Sequence, residues 1–373
     1  MIKRILQDKI ISELNLNKAI VILGARQTGK TTLLNIIFAG KEKVLIFNGD
    51  DPETRTLLTN VGTKQLEQII GDASIVVVDE AQRIQNIGIT LKILYDQFKN
   101  IRLFVSGSSS LDLANEINEP LTGRKIEHQL YPVSFKEMVN HHGLWEEKRS
   151  LNTRLIYGYY PEIVTHKGKE ITLLKNLAGS YLYKDILSFG KIKKPFILDK
   201  LLNALALQIG SEVSYNKLSQ LVGADKETVE RYIDLLEKAF IIFKLNALSR
   251  NVRNEIKKGK KIFFYDNGIR NAIIGNFKNF ELRYDRGALW ENFIISERIK
   301  YLNYTGFYGS YYFWRTTQQQ EIDFIEEIDG KFNAYEFKLN SKKHYKIPNT
   351  FIKNYEIENI DIITPENFEK FII

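Results

Sequence analysis

Three small groups of residues could do chemistry. Gly24-Ala25-Arg26-Gln27-Thr28-Gly29-Lys30-Thr31, followed by Thr32, fits G-x-x-x-x-G-K-[ST], a phosphate-binding loop. Its glycines let the backbone wrap closely enough for N–H groups to face phosphate oxygens. Lys30 would reach the β- and γ-phosphates of a nucleotide, and Thr31 would bind Mg2+. Ile75-Val76-Val77-Val78-Asp79-Glu80 ends an apolar run on two carboxylates. Asp79 suits the Mg2+ shell, and Glu80 suits a general base that polarises the attacking water. A third group lies near the C-terminus. Asp323, Glu336 and Lys338 fit D…E-x-K, with Glu291 upstream as a fourth member. Carboxylates so grouped hold Mg2+, here Asp323 and Glu336, while the lysine stabilises or activates a water, which is nuclease chemistry. A structural ion pair is the plainer reading of the same residues.

These groups need elements to hold them. AIVILG (19–24) reads as a short buried strand, and KTTLLNIIFAG (30–40) as the helix that the phosphate loop opens. VLIFN (44–48), SIVVVDE (74–80) and IRLFVSG (101–107) are further apolar runs, and RKIEHQLYPV (124–133) supplies a fifth strand. Apolar strands alternating with helices make a parallel sheet covered on both faces. A polar residue at the tip of the strand between the two nucleotide motifs would orient the water, which makes Ser106 or Ser108 the candidate. Arg124 opens the fifth strand, where it either reaches a neighbouring subunit's γ-phosphate or closes a local salt bridge.

Residues 134–142, 151–165 and 170–190 read as helices, and KIKKP (191–195) as a linker. Three helical stretches and a β-hairpin, IIFKLN (241–246) with KIFFYD (261–266), spell a winged helix. Asp225 caps its third helix. Lys226, Arg231 and the basic stretch 250–261, including Lys257, Lys258, Lys260 and Lys261, would face phosphates, unless the module serves as a rigid lid. Beyond a long helix over 283–303, strands at 311–316, 320–327, 331–340 and 359–364 complete a mixed α/β domain. Glu336 and Lys338, two apart, share one strand face and point toward Asp323 across a hairpin. Trp314 and Arg315 lie nearby, facing nucleic acid or, for Trp314, the core.

The expected division is a P-loop ATPase domain over 1–150, a helical lid and winged helix over 151–259, and a nuclease-like domain over 260–373. The 373 residues carry a net charge of +8. Residues 151–259 hold 18 Lys and Arg against 11 Asp and Glu, so nearly all the excess lies in the middle third. That suits a phosphate-backbone partner, double-stranded DNA. There is no cysteine, which excludes disulfides, thiolate zinc sites and thiol nucleophiles. The histidines, 128, 141, 142, 166 and 344, lack metal-ligand spacing. No apolar run approaches the roughly 18 residues of a membrane span, and the N-terminus reads as an amphipathic helix rather than a signal peptide. A cytoplasmic location is expected.

The segments GARQTGKTTLL, VVVDEAQRI, VSGSSS, LTGRKIEHQLYPVSFKE, YGYYPEIV, YDNGIRNAI, GALWENFI and YFWRTTQQQEIDF…YEFKLN resemble the prokaryotic AAA-type ATPases that carry a C-terminal domain of uncharacterised function. The resemblance spans nearly the whole chain. It implies ATP binding with Mg2+, a parallel sheet of the additional-strand class, a winged-helix middle and a restriction-endonuclease-like last domain. The function expected is ATP hydrolysis controlling a DNA-binding and nuclease half. The alternative is an ATP-switched sensor or scaffold whose last domain binds a partner without cutting. A second copy of the chain is a candidate partner.

Overall fold

A computed structural model describes residues 1–107, 117, 119–182, 192, 194–249, 259–316, 318–340 and 348–373. Five strands, β1 (Ala19–Leu23), β2 (Val44–Asn48), β3 (Ile75–Asp79), β4 (Arg102–Gly107) and β5 (Lys125–Gln129), pair in parallel in the order β2-β3-β4-β1-β5. β4 is inserted between β3 and β1, so its tip stands between the two nucleotide motifs. Alternate residues of the central strands enter separate cores, because successive side chains point to opposite faces. Val21, Leu23, Val76, Val78, Leu103 and Val105 pack with Leu66 and Ile70 of helix Thr63–Ile70 and with Leu91 and Leu94 of helix Ile87–Gln97. On the other face Phe38, at the end of helix Lys30–Phe38, meets Phe104 edge-on at 4.7 Å.

The described chain divides into two compact units, and Val133 and Ser134 fall on opposite sides of the division. A domain limit at 150 was expected, but the segment after Ser134 is built into the second unit. Ser134 closes a capping box with Glu137 at the start of helix Phe135–His142. The Phe135 N–H donates to Glu297 Oε2 at 2.7 Å, and its ring meets Phe368 at 5.0 Å. These partners lie more than 160 residues away in sequence, beyond the reach of any local pattern.

The second unit holds a seven-stranded mixed sheet of β6 (Glu212–Val213), β7 (Ile242–Ala247), β8 (Lys260–Phe264), β9 (Ser310–Arg315), β10 (Glu321–Ile328), β11 (Lys331–Phe337) and β12 (Ile357–Ile363). Its order is β12-β11-β10-β9-β7-β8-β6. Helices Pro195–Leu207, Tyr215–Val222 and Lys226–Lys238 precede the β7–β8 hairpin, and β6 joins its edge through Glu212 opposite Lys261. β7 also runs parallel to β9. A boundary at 259/260 would therefore fall inside this sheet, between two paired strands. Helix Arg286–Thr305 is pinned to β8 by Asn292, whose amide donates to Phe264 O at 3.0 Å and accepts from Phe264 N at 2.7 Å. Leu248, Trp314, Ile322, Ile325, Phe332, Ala334 and Phe351 form a core on one side of this sheet. No helix among the described residues is long and apolar enough to cross a membrane.

Candidate functional site

The loop between β1 and helix Lys30–Phe38 has the shape its sequence demands. Gly29 sits at φ 96°, a left-handed conformation that a side chain would strain, and the helix starts at the next residue. A Cβ at Gly24 would fall on the carbonyl oxygen of Leu130, so the loop approaches that backbone as only glycine can. Ala25 and Thr28 are buried, Arg26 and Gln27 half-buried, Thr31 and Thr32 exposed. Lys30 is buried, and its ammonium folds back on Gly24 O and Ala25 O, both at 3.0 Å.

β3 and β4 bring the other half to the same edge. Thr31 Oγ1 donates to Asp79 Oδ2 at 2.6 Å, and Ser106 donates to the other oxygen, Asp79 Oδ1. Ser106 is fully buried at the end of β4, so its hydroxyl is committed to Asp79 in this state. Ser108 lies outside the described residues. Glu80 leaves the strand in the left-handed region at φ 51°, and Gln82 Nε2 donates to its Oε2 at 2.6 Å. Non-glycine residues held there mark an imposed conformation. Arg124 is paired with Asp96 at 2.9 Å and donates to Thr122 O at 3.3 Å, the local salt bridge foreseen as its plainer role.

One participant was not foreseen. Arg4, just before helix Ile5–Glu13, is buried. Its guanidinium donates to Thr28 O in the phosphate loop and to Tyr131 O beyond β5, both at 2.6 Å. A single arginine near an N-terminus carries no spacing signal that could have marked it.

The second unit gathers the acidic group around a cavity of about 620 Å³. Phe324 pairs with Tyr335 in the β10–β11 ladder, which sets Asp323 opposite Glu336 on one sheet face. Asp323 Oδ2 accepts from Phe337 N at 2.8 Å. Lys338 donates to Glu336 Oε1, while the buried Glu336 Oε2 has no partner among the described residues. Glu291, from helix Arg286–Thr305, lines the same cavity, so all four residues of the expected group converge there. Burial pushes the Glu336 carboxyl up to about 7, with Asp323 adding to the rise. Burial likewise lifts Glu291 to about 7, against the pull of Lys261. Asp323 is also raised, chiefly by burial.

One expectation for this unit needs correction. Lys261, taken as facing phosphates, is buried in β8 and bonds Glu291 at 3.0 Å and Glu321 at 2.6 Å. Both faces of β8 are covered at this position, and Lys261 lies among residues of opposite charge. Trp314 is core, edge-on to Phe351 at 5.1 Å. Arg315 stands near Glu212 and Glu321, at 3.6 and 3.7 Å. In the middle segment Asp225 caps helix Lys226–Lys238, accepting from Thr228 N at 2.7 Å. Arg231 lies over the Tyr232 ring at 5.4 Å. Residues 250–258, with Lys257 and Lys258, lie outside the described residues.

A glycine-wrapped loop opening a helix, an Asp-Glu pair on a neighbouring strand and a strand inserted between them define a P-loop ATPase fold. Residues 16–139 match the family described as AAA domain. Residues 148–279 and 286–369 match two families each described as a domain of unknown function (DUF8612 and DUF4143). An uncharacterized protein of Mycobacterium tuberculosis is 25% identical over 334 residues, covering 87% of this chain and 72% of that protein. Another, of Methanocaldococcus jannaschii, is 26% identical over 408 residues, covering 100% and 87%. The solved Walker-type ATPase of Pyrococcus abyssi is 14% identical and aligns with a TM-score of 0.50, over 74% of this chain and 96% of that one, a likeness of fold.

Proposed function

We propose that the first unit binds ATP with Mg2+ and hydrolyses it. The observation that carries this reading is the meeting of Thr31 and Ser106 on the two oxygens of Asp79, beside Lys30 and Glu80. The Thr31 hydroxyl and the Asp79 carboxylate, already bonded to each other, offer oxygens that would hold Mg2+, and the ion would supply charge neutralisation there. Lys30 would exchange its two loop carbonyls for phosphate oxygens. The loop amides and the helix N-terminus would cradle the anion. Glu80 would take the proton of the attacking water. Lys30→Ala should abolish nucleotide binding, whereas Glu80→Gln should bind ATP and fail to turn it over.

The second unit is, on the same reading, the part that acts on DNA, with ATP state in control. Its support is the buried Glu336 Oε2, unpartnered among the described residues, at a cavity shared with Asp323, Glu291 and Lys338. Such a carboxylate oxygen suits Mg2+ or Mn2+, which would lower the pKa of a bound water. Lys338 would stabilise the developing negative charge on the phosphate. The charge of residues 151–259 would hold the duplex in a salt-dependent way. One observation favours the alternative of a binding module that does not cut. Among the described residues no three carboxylate or histidine groups are arranged to hold an ion as they stand. Nicking of supercoiled DNA with Mg2+, measured alongside ATP turnover with and without DNA, separates the two. Nicking lost in Asp323→Ala supports the nuclease. Salt-sensitive binding without nicking in every nucleotide state leaves the binding module.

A further inference from the structure

The cavity of the second unit is lined by five carboxylates, those of Glu212, Glu291, Glu321, Asp323 and Glu336. Three cations face them, Lys261, Arg315 and Lys338. Among the described residues, with every group ionised, the lining lacks two positive charges, which one divalent ion supplies. The deficit is not spread evenly. Lys261 bonds both Glu291 and Glu321, and Arg315 stands near Glu321 and Glu212. Lys338 covers one oxygen of Glu336. What remains is Asp323, held by a backbone N–H, and opposite it Glu336 Oε2, which has no partner among the described residues.

Lys261 is no stray surface lysine. It is only 3% exposed, its ammonium lies 5.4 Å from the Phe313 ring centroid, and β6–β8 pairing sets it opposite Glu212. A buried ammonium is costly unless paired, and this one has two carboxylates within bonding distance. It also explains why the carboxylates are not already gathered: two of the five are drawn to the lysine instead.

Resting on the reading of Asp323 and Glu336 as a metal site, we propose that Lys261 is a built-in cation that withholds Glu291 and Glu321 from the ion. The site then takes one divalent cation, on Asp323 and Glu336. Lys261 sets its affinity low and excludes a second ion by occupying the place where that ion's charge would sit.

The test is calorimetric titration of Mn2+ into the nucleotide-free full chain, with Glu336→Gln as the reference lacking the site. Wild type should bind one Mn2+ more than Glu336→Gln. Lys261→Gln releases two carboxylates and removes a positive charge, so Mn2+ should bind at least about tenfold tighter, or a second ion should appear. Because that variant leaves buried acids unpaired, the double variant Lys261→Gln/Glu321→Gln is measured beside it. It restores the charge balance yet still frees Glu291, so it should also bind one ion more tightly than wild type. If both variants bind Mn2+ as wild type does, Lys261 does not control the site and the proposal falls while the metal site stands. If neither variant folds, Lys261 is a structural counter-charge and the proposal falls as well. If wild type and Glu336→Gln take up the same Mn2+, the metal reading itself has failed.

Discussion

Replacing Arg4 tests whether the N-terminal segment is part of the nucleotide site. Its guanidinium makes two buried hydrogen bonds of 2.6 Å, one to the phosphate loop at Thr28 O and one to Tyr131 O. Hydrogen bonds to a charged group contribute about 1.5–3 kcal/mol each. The two share one donor group and do not add fully, so Arg4→Ala should cost about 3 kcal/mol in the first unit. For a unit of this size that is a fall of roughly 10 °C in its melting transition. Arg4→Lys keeps the charge but can reach only one carbonyl, and should lose about half as much. The loop should feel the loss as well. With Thr28 O untethered, ATP binding measured by fluorescence well below the transition should weaken about tenfold in Arg4→Ala, a cost of about 1.4 kcal/mol. A lower melting temperature with unchanged ATP affinity would make Arg4 a structural tie only. Unchanged melting and affinity together would refute the reasoning.

Gly24→Ala would drive a methyl onto the Leu130 carbonyl, backbone against backbone, so ATP binding should be lost or greatly weakened, read by equilibrium binding. A variant that binds ATP as wild type does would show that the loop has room to spare. Burial pushes the Asp285 carboxyl up, but bonds and charges from Arg283 and Arg270 outweigh it and hold it down at about 2. A depressed carboxylate stabilises above its unfolded value, 3.8, and loses that stabilisation as pH falls from there through about 2. The carboxyl is partly solvent-exposed, so screening reduces the effect to on the order of 1 kcal/mol. Asp285→Asn should therefore lower denaturant stability at pH 7 and lose part of the wild-type dependence between pH 4 and 2. An unchanged pH profile would contradict the assignment.

Much of the first unit was legible because its chemistry sits on strands apolar on both faces. Ala19–Leu23, Ile75–Asp79 and Arg102–Gly107 lie where the apolar runs predicted, and Thr31 of the loop bonds Asp79. In the second unit the spacing of Glu336 and Lys338 and one hairpin register sufficed to place Asp323 opposite Glu336. What failed to show was long-range. Helix Phe135–His142 follows the fifth strand closely, and its bond to Glu297 and its packing on Phe293 and Phe368 draw it into the second unit. Lys261 sat in a run of like charges that reads as a surface. It shares a face of β8 with Phe263, but Ile262 and Phe264 on the other face are buried too, so alternation alone could not mark it as turned inward.

The most direct measurement is steady-state ATP hydrolysis with Mg2+ by wild type and Glu80→Gln, with nucleotide affinity determined on the same samples. The account predicts turnover by wild type. For Glu80→Gln it predicts ATP affinity within about twofold of wild type and a rate reduced by about 10²–10⁴. Equal rates in the two proteins would remove Glu80 from the chemistry, and a wild type that neither binds nor hydrolyses ATP would contradict the reading of the whole first unit.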